Sequence, residues 1–276
     1  MYKVLIIGGN RFVGKSLSMR LLSCGYEVDV FNRTGTSADR NIGVIKGNRN
    51  NKIDVEKIDF DQYHAIVDMC LYLPNQFDLI KDLISSKTNY IFVSSGAADN
   101  RYSDSFGDYG RDKSEIENML KLTDMNFDII RPSYIVGMGN HRPRIGYFVD
   151  KLSNNEVIKV AGDGFNIINI VFIEDVVKVL EKLVLRDAPE MKTYDISGDE
   201  SFMVMELIQI IKERLKIFKS IDEIKISKHR SESVFYDFNF SAFNNEKVCN
   251  DLNISFTNID DGLDNYMEWY FGQQNI

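Results

Sequence analysis

Seven residues near the start limit what this chain can fold into: Gly8-Gly9-Asn10-Arg11-Phe12-Val13-Gly14. They follow a β-branched run at residues 3–7 without a spacer, and they open the helical apolar pattern of residues 12–22. A glycine turn that joins a buried strand straight to a helix leaves the first N–H groups of that helix unbonded, with the positive end of its dipole behind them. Gly8 permits the tight turn and Gly14 permits the helix to press on the strand, as in turns that cradle the pyrophosphate of a dinucleotide. Arg11 stands where such turns usually carry their middle glycine. The plain alternative is a glycine turn with no ligand.

The rest of the first half repeats the strand–helix alternation. Strand patterns occur at residues 27–31, 44–46, 64–68, 89–93 and 127–130, with amphipathic stretches between them, such as Phe77, Ile80, Leu83 and Ile84 at helical spacing. Alternation of this kind predicts an α/β fold, a doubly wound (Rossmann) parallel sheet covered by helices on both faces. Beyond residue 140 the pattern loosens. A strand is expected at 166–172, a helix at 174–185, a last strand at 193–197 and a helix at 203–216 with Leu207, Ile210, Ile211 and Leu215 on one face. Strand-like alternation then runs over 221–240, and Ile259, Leu263, Tyr266, Met267 and Tyr270 mark a terminal amphipathic helix. The expected division is a dinucleotide-binding sheet domain, 1–139 and 167–197, and a smaller C-terminal substrate lobe, 140–166 and 198–276.

Composition excludes several classes of function. At 12% aromatic and 44% hydrophobic, the 276 residues supply too much core-forming area for a disordered chain. No run approaches the length of a membrane span, and the first apolar run stops too early to be a signal-peptide core. Cys24, Cys70 and Cys249 are odd in number and widely spaced, which points to reduced thiols in the cytoplasm. His64, His141 and His229 are as scattered, so no metal site is expected. The formal charge of −8 disfavours a nucleic-acid partner. What remains is a cytoplasmic protein acting on a small molecule, without nucleic-acid or membrane partners.

Three groups of residues carry chemistry. At the end of the second strand, where an NAD site places an acid against the ribose, stand Asn32 and Arg33. A neutral amide beside a guanidinium accepts a 2′-phosphate, and Arg11 adds a second cation, so NADP is the expected cofactor, with NAD also possible. A solvated loop arginine is the alternative for Arg33. Tyr109 and Lys113 lie four apart, on one helix face. A nearby ammonium is what a phenol with an ordinary pKa near 10 needs to act as a base at neutral pH. Tyr147 and Lys151 match the same spacing, but they lie beyond the sixth strand, where Tyr147 reads as a packing aromatic. Finally, Ser94 and Ser95 end the fifth strand; Ser95 offers a hydroxyl to a substrate oxygen, or else it is only a cap.

Together GGNRFVG (8–14), VSSGAA (93–98), YGRDK (109–113), IRPSYIVGMGN (130–140) and FIEDVV (172–177) resemble the extended short-chain dehydrogenase/reductases, in the NAD-dependent epimerase/dehydratase branch with atypical, short members. The resemblance implies that Gly8, Asn10, Arg11, Phe12, Val13 and Gly14 hold the pyrophosphate, and that Asn32 and Arg33 meet the adenosine ribose. It implies that Asn48 meets the adenine and that Met69, Cys70 and Leu71 line the nicotinamide ribose. Ser95, Tyr109 and Lys113 become the catalytic set, with Ser94, Tyr109 and Lys113 also touching cofactor, and Pro132, Ser133 and Tyr134 flank the nicotinamide. The late lobe would close over a substrate, often a nucleotide sugar in this family, and a homodimer pairing the helices at 77–86 and 109–122 is common. Gly96-Ala97 replaces the acidic pair of the sugar dehydratases, which disfavours that reaction. A hydride-transferring epimerase, dehydrogenase or reductase is therefore expected; the alternative is a non-catalytic dinucleotide-sensing or RNA-binding relative.

Overall fold

The computed structural model describes residues 2–140, 144–229, 233–241 and 243–274. Its elements, in chain order, begin with β1 (Lys3–Ile7), α1 (Phe12–Ser23), β2 (Glu27–Asn32), β3 (Gly43–Lys46), α2 (Lys52–Val55), β4 (Ala65–Asp68) and α3 (Pro74–Asp78). There follow β5 (Asn89–Val93), α4 (Asp108–Lys121), β6 (Phe127–Pro132), β7 (Tyr134–Val136), α5 (Arg144–Ser153), β8 (Ile158–Ala161), β9 (Ile167–Phe172) and α6 (Ile173–Val184). The chain closes with β10 (Thr193–Ile196), β11 (Ser201–Met203), α7 (Val204–Leu215), β12 (Ile226–His229), α8 (Glu246–Leu252) and α9 (Ile259–Gln274).

One unit gathers residues 1–132, 174–196 and 245–254 around a seven-stranded parallel sheet in the order β10-β6-β5-β4-β1-β2-β3. The strands of its centre are buried along their whole length, β4 and β5 at every residue, which is why they read as apolar runs instead of alternating ones. On one side of this sheet, Leu5, Phe31, Ile66, Phe77, Tyr90, Phe92, Ile116, Leu120 and Phe127 share a single core cluster. The order reverses at β1, whose two neighbours are β2 and β4. The loops after β1 and β4 therefore flank a crevice at the carboxyl edge of the sheet, where ligands bind in such folds. This is the doubly wound fold expected from the alternation.

The other unit comprises residues 133–173, 197–244 and 255–276. It holds a three-stranded sheet, β11-β9-β7, a two-stranded parallel pair, β12-β8, and the helices α5, α7 and α9. Its core is aromatic: Tyr134 packs edge-on to Phe235 and Phe240, and Phe240 likewise to Phe243.

Three sequence expectations change. The stretch 77–86 is helical only as far as Asp78 and continues in turns, with Ile80 N–H bonded to Phe77 O and Leu83 N–H to Ile80 O. Phe77, Ile80 and Ile84 are buried all the same, so core packing satisfies the apolar spacing without a regular helix. Over 221–240 the only strand among the described residues is β12, and Phe240 makes an isolated bridge to Ile168; alternation there buries Phe235 and Phe240 without building a ladder. Residues 230–232 of that stretch lie outside the described residues, as does His141. The unit boundaries also fall elsewhere than at 139 and 167: β7 and β9 pair inside the second unit, whereas α8 packs on β10 in the first.

Candidate functional site

The turn after β1 is shaped by close approach. Gly8 has a φ of +91°, and a Cβ there would stand 3.1 Å from the Cys70 Sγ. One at Gly14 would stand 2.6 Å from the Gly8 carbonyl oxygen and 3.2 Å from the Met69 Sδ. The positive φ at Gly8 strains any larger side chain, and the backbone contact at Gly14 leaves no room for one. Arg11 is the N-cap of α1 in an extended conformation, and its side chain caps none of the free N–H groups. A cradle that a single Cβ would fill, with uncapped helix donors above it, fits the diphosphate of a dinucleotide. Of the other residues expected there, Phe12 has a φ of +43° and Val13 is buried against the sheet.

Beside this cradle, Asn10 donates to Thr36 Oγ1 at 2.8 Å and to Thr34 Oγ1 at 3.1 Å, tying the glycine turn to the loop after β2. Asn32 is more constrained than its sequence suggests. Its Oδ1 accepts from Thr34 Oγ1 and from the Gly35 N–H, both at 2.8 Å, and its Nδ2 donates to the Thr36 carbonyl at 2.9 Å. The amide holds the loop, so the cationic side chains available to a ribose phosphate are Arg33 and Arg11. Both are exposed, and neither has an ion-pair partner among the described residues. Asn48 lies exposed after β3; its N–H donates to Asp54 Oδ2 and its Oδ1 accepts from the Asn50 N–H.

After β4, Met69 and Cys70 reach the glycine turn, while the Leu71 side chain is fully buried in the core cluster. A charged network that sequence reasoning missed lies below them. Arg49 donates to both oxygens of Asp68, at 2.6 and 3.0 Å, with both side chains buried. Tyr90 adds its hydroxyl to Asp68 at 2.9 Å and Cys70 its N–H at 3.2 Å. The available signal was a single carboxylate inside the apolar run 65–71. Burial works against the Arg49 guanidinium, but the Asp68 carboxylate outweighs it, so its pKa stays above the ordinary value. Next to this pair, Gln76 ties the same two loops: its Nε2 donates to Asn50 Oδ1 at 2.7 Å, and its Oε1 accepts from the N–H groups of Tyr72 and Leu73.

At the end of β5 the two serines do different things. Ser94 donates to Glu117 Oε1 at 2.6 Å, and Glu117 also accepts from Arg131 at 2.6 and 2.9 Å. Ser95 caps a short turn by accepting from the Ala97 N–H at 3.2 Å, which leaves its own hydroxyl proton to donate. Tyr109 is in the first turn of α4 and 41% exposed. The neighbouring Gly110 lets α4 approach the Ser95 turn, since a Cβ there would stand 2.8 Å from the Ala97 carbonyl. Lys113, one helical turn on, is 1% exposed. Its Nζ donates to the Val93 carbonyl at 3.0 Å and lies 4.7 Å from the Phe92 ring centroid and 5.1 Å from that of Tyr72. Burial pushes the Lys113 ammonium down to about 8, with Asp68 opposing the fall.

Pro132 is buried at the end of β6 in the first unit. Ser133 and Tyr134 belong to the second, where the Tyr134 ring lies 4.2 Å from the Arg144 guanidinium and burial pushes its phenol pKa up. Within that unit Tyr147 accepts the Lys159 N–H at 2.8 Å and packs on Phe148. Among the described residues the cysteines form no disulfide.

The fold has many solved relatives. The chain matches a dTDP-glucose 4,6-dehydratase from Bacillus anthracis, solved with NAD, at a TM-score of 0.81 and 15% identity, over 100% of this chain and 98% of that one. It matches a UDP-glucose 4-epimerase from Thermotoga maritima, solved with UDP-glucose, at a TM-score of 0.79 and 15% identity, over 99% of each chain. The fold is therefore the one found in NAD-dependent epimerases and dehydratases, the extended short-chain dehydrogenase/reductases. A curated relative, the chloroplast stem-loop binding protein of 41 kDa b from Arabidopsis thaliana, is 24% identical over 223 residues. That match covers 72% of this chain but only 59% of the relative. No protein-family model matches the chain.

Proposed function

We infer that this chain is a nicotinamide-dinucleotide-dependent enzyme, an epimerase or an oxidoreductase, in which Ser95, Tyr109 and Lys113 act on a hydroxyl or carbonyl carbon of a small substrate. The observation that carries the reading is Lys113: a fully buried ammonium, one turn from Tyr109 and behind the Ser95 turn, with a single acceptor among the described residues for its three N–H donors. Buried ammonium groups are rare without a partner, and those with shifted pKa values gather at functional sites. A dinucleotide lying over the cradle of Gly8, Asn10, Arg11, Phe12, Val13 and Gly14 would bring its nicotinamide ribose to the segment 69–71 and to Lys113. When bound, it would supply or accept the hydride.

The residues then divide the work. Tyr109 takes the proton of a substrate hydroxyl, or returns it to a carbonyl. Lys113 lowers the phenol's proton affinity by placing a positive charge beneath it. Ser95 donates its free hydroxyl proton to the same substrate oxygen. The paired Ser94 and Glu117 stiffen the floor under that serine. Gly96 and Ala97 in the turn supply no acid, which argues against sugar dehydration.

Arg33 and Arg11 support a preference for NADP(H) over NAD(H). Nucleotide sugars are the substrate class that the solved relatives suggest, the Thermotoga epimerase having been solved with one. Cysteines without a disulfide among the described residues suit the cytoplasm. The homodimer remains part of the reading, with α4 as its surface; the stretch 77–86 no longer offers a second regular helix. RNA binding is the second reading, and the name of the curated relative favours it. Retention of Tyr109 and Lys113 and the charge of −8 weigh against it.

Titrating the protein with NADPH and NADH, followed by nicotinamide fluorescence, tests the reading. Saturable binding that Lys113→Met weakens supports it; binding of a structured RNA but of neither dinucleotide overturns it.

A further inference from the structure

Arg49 and Asp68 are buried charges for which the chemistry above has no use. The Asp68 carboxylate accepts four donors: Nη1 and Nη2 of Arg49, the Tyr90 hydroxyl and the Cys70 N–H. Lys113 belongs to the same buried neighbourhood: its Nζ lies 4.7 Å from the Phe92 ring centroid, and Phe92 is the β5 residue paired with Asp68 on β4. There Asp68 favours its charged form and Arg49 opposes it. Yet no Lys113–Asp68 ion pair forms; the ammonium bonds the Val93 carbonyl instead. In a low-dielectric interior, a carboxylate with free lone pairs would draw in a neighbouring ammonium until the two met. Only a planar, two-pronged cation can occupy both carboxylate oxygens at once, and Arg49 does so.

We propose that Arg49 is a positioning residue for Lys113: by saturating Asp68 it lets the carboxylate hold the ammonium's charge at a distance without bonding it, so that two N–H donors stay available to a bound ligand. The inference rests on the reading of Lys113 as a ligand-binding ammonium, but its central test does not need a ligand. Other groups facing Lys113 are Cys70 and Tyr72 after β4 and Glu117 on α4 itself; none replaces Asp68, because Glu117 is taken up by Ser94 and Arg131, and burial holds Cys70 and Tyr72 in their neutral forms.

The test uses Arg49→Leu, Asp68→Asn and the double variant, with two measurements. One is the titration midpoint of Lys113 from its 13Cε NMR shift. The other is NADPH affinity, taken at about pH 6.5 so that the ammonium is charged throughout. Arg49→Leu frees the carboxylate, so the midpoint is expected to rise by about 1–3 units as a direct pair forms. NADPH affinity should fall about tenfold or more as the donors are lost. In the double variant no carboxylate is left to capture Lys113: the midpoint falls below that of the natural protein and most of the affinity returns. A merely structural pair predicts the reverse, with the double variant no better than Arg49→Leu. An unmoved midpoint in folded Arg49→Leu, or a double variant that fails to recover, overturns the proposal. Should Arg49→Leu not fold, Arg49→Lys leaves one acceptor position of the carboxylate open and should raise the midpoint by a smaller step; no rise there also overturns it. Failure of the natural protein to bind either dinucleotide would sink the functional reading instead, with the NMR midpoints still deciding this one.

Discussion

The chain carries the same Tyr-x-x-x-Lys spacing twice, and the two copies have become different objects. Lys113 on α4 is 1% exposed, and burial has lowered its pKa to about 8. Lys151 on α5 pairs with Glu156 at the surface, and that hydrogen bond raises its pKa. Tyr109 is 41% exposed at the start of its helix. Tyr147 is tied to the Lys159 N–H and lies edge-on to Phe148. Spacing places a phenol and an ammonium on one helix face. Whether they can do proton chemistry depends on how far the ammonium is removed from water; Lys113 is buried on a helix that presses through Gly110 onto the backbone of Ala97 and Ser103, whereas Lys151 stays at the surface.

The largest expected effect separates the two tyrosines. Tyr109→Phe should lower turnover by about 10²–10⁴, the usual contribution of a positioned acid or base, with dinucleotide affinity within a few-fold of normal. Tyr147→Phe should leave turnover unchanged. Loss of activity in Tyr147→Phe with activity retained in Tyr109→Phe would move the site to α5.

Lys113→Met should weaken both turnover and NADPH binding, whereas Lys151→Met should touch neither. The pH dependence sharpens this. The Lys113 ammonium is lost as pH rises through about 8, so dinucleotide affinity should fall across that value and flatten in Lys113→Met. Stability should move the other way. Between about 8 and the ordinary lysine value near 10.4, the unfolded chain keeps a proton that the native one has released, so unfolding becomes harder as pH climbs through that window. Chemical denaturation at pH values either side of 8 measures it, and a Lys113→Met protein with the same slope as the natural one would contradict the assignment.

How much of this was legible in the sequence differs from one residue to the next. The turn after β1 was, because Gly8 takes a positive φ and Gly14 meets the Gly8 carbonyl, both of them local demands of a strand–turn–helix. Asn32 was half legible. Its place at the end of β2 was right, but Asn-Arg-Thr-Gly is also turn chemistry, and the amide bonds its own loop at Thr34, Gly35 and Thr36. Arg49 and Asp68 were not legible as a pair. They are 19 residues apart, and only the lateral order β4-β1-β2-β3 brings the loop after β3 over the end of β4. The turns at 77–86 failed for a related reason, since three apolar residues at helical spacing are buried equally well by turns.

Cofactor choice comes next in size. With the Asn32 amide engaged, discrimination falls to Arg33 and Arg11. A charge-assisted contact to a 2′-phosphate is worth roughly 1.5–3 kcal/mol, about ten- to a hundredfold in affinity. Arg33→Ala should therefore weaken NADPH by about that factor and leave NADH almost untouched, with the gap closing as salt rises at this exposed site. Asn32→Asp should reverse the preference by placing a like charge beside the phosphate. Equal NADPH and NADH titration curves for the natural protein at low salt would leave both arginines as solvated surface cations.

The smallest effect returns to the second tyrosine and completes the contrast. Tyr147→Phe removes the phenol oxygen that accepts the Lys159 N–H at the start of β8 but keeps the ring against Phe148. The lost bond is partly buried, and its net contribution is about 1 kcal/mol. A chemical-denaturation midpoint should shift by that little, with an unchanged slope. Tyr109→Phe, whose ring is substantially exposed, should shift it less, so the residue that matters most to chemistry should matter least to stability. If Tyr109→Phe destabilised the fold by more than Tyr147→Phe, the phenol at 109 would have a packing role as well, and its loss of turnover could no longer be assigned to proton transfer alone.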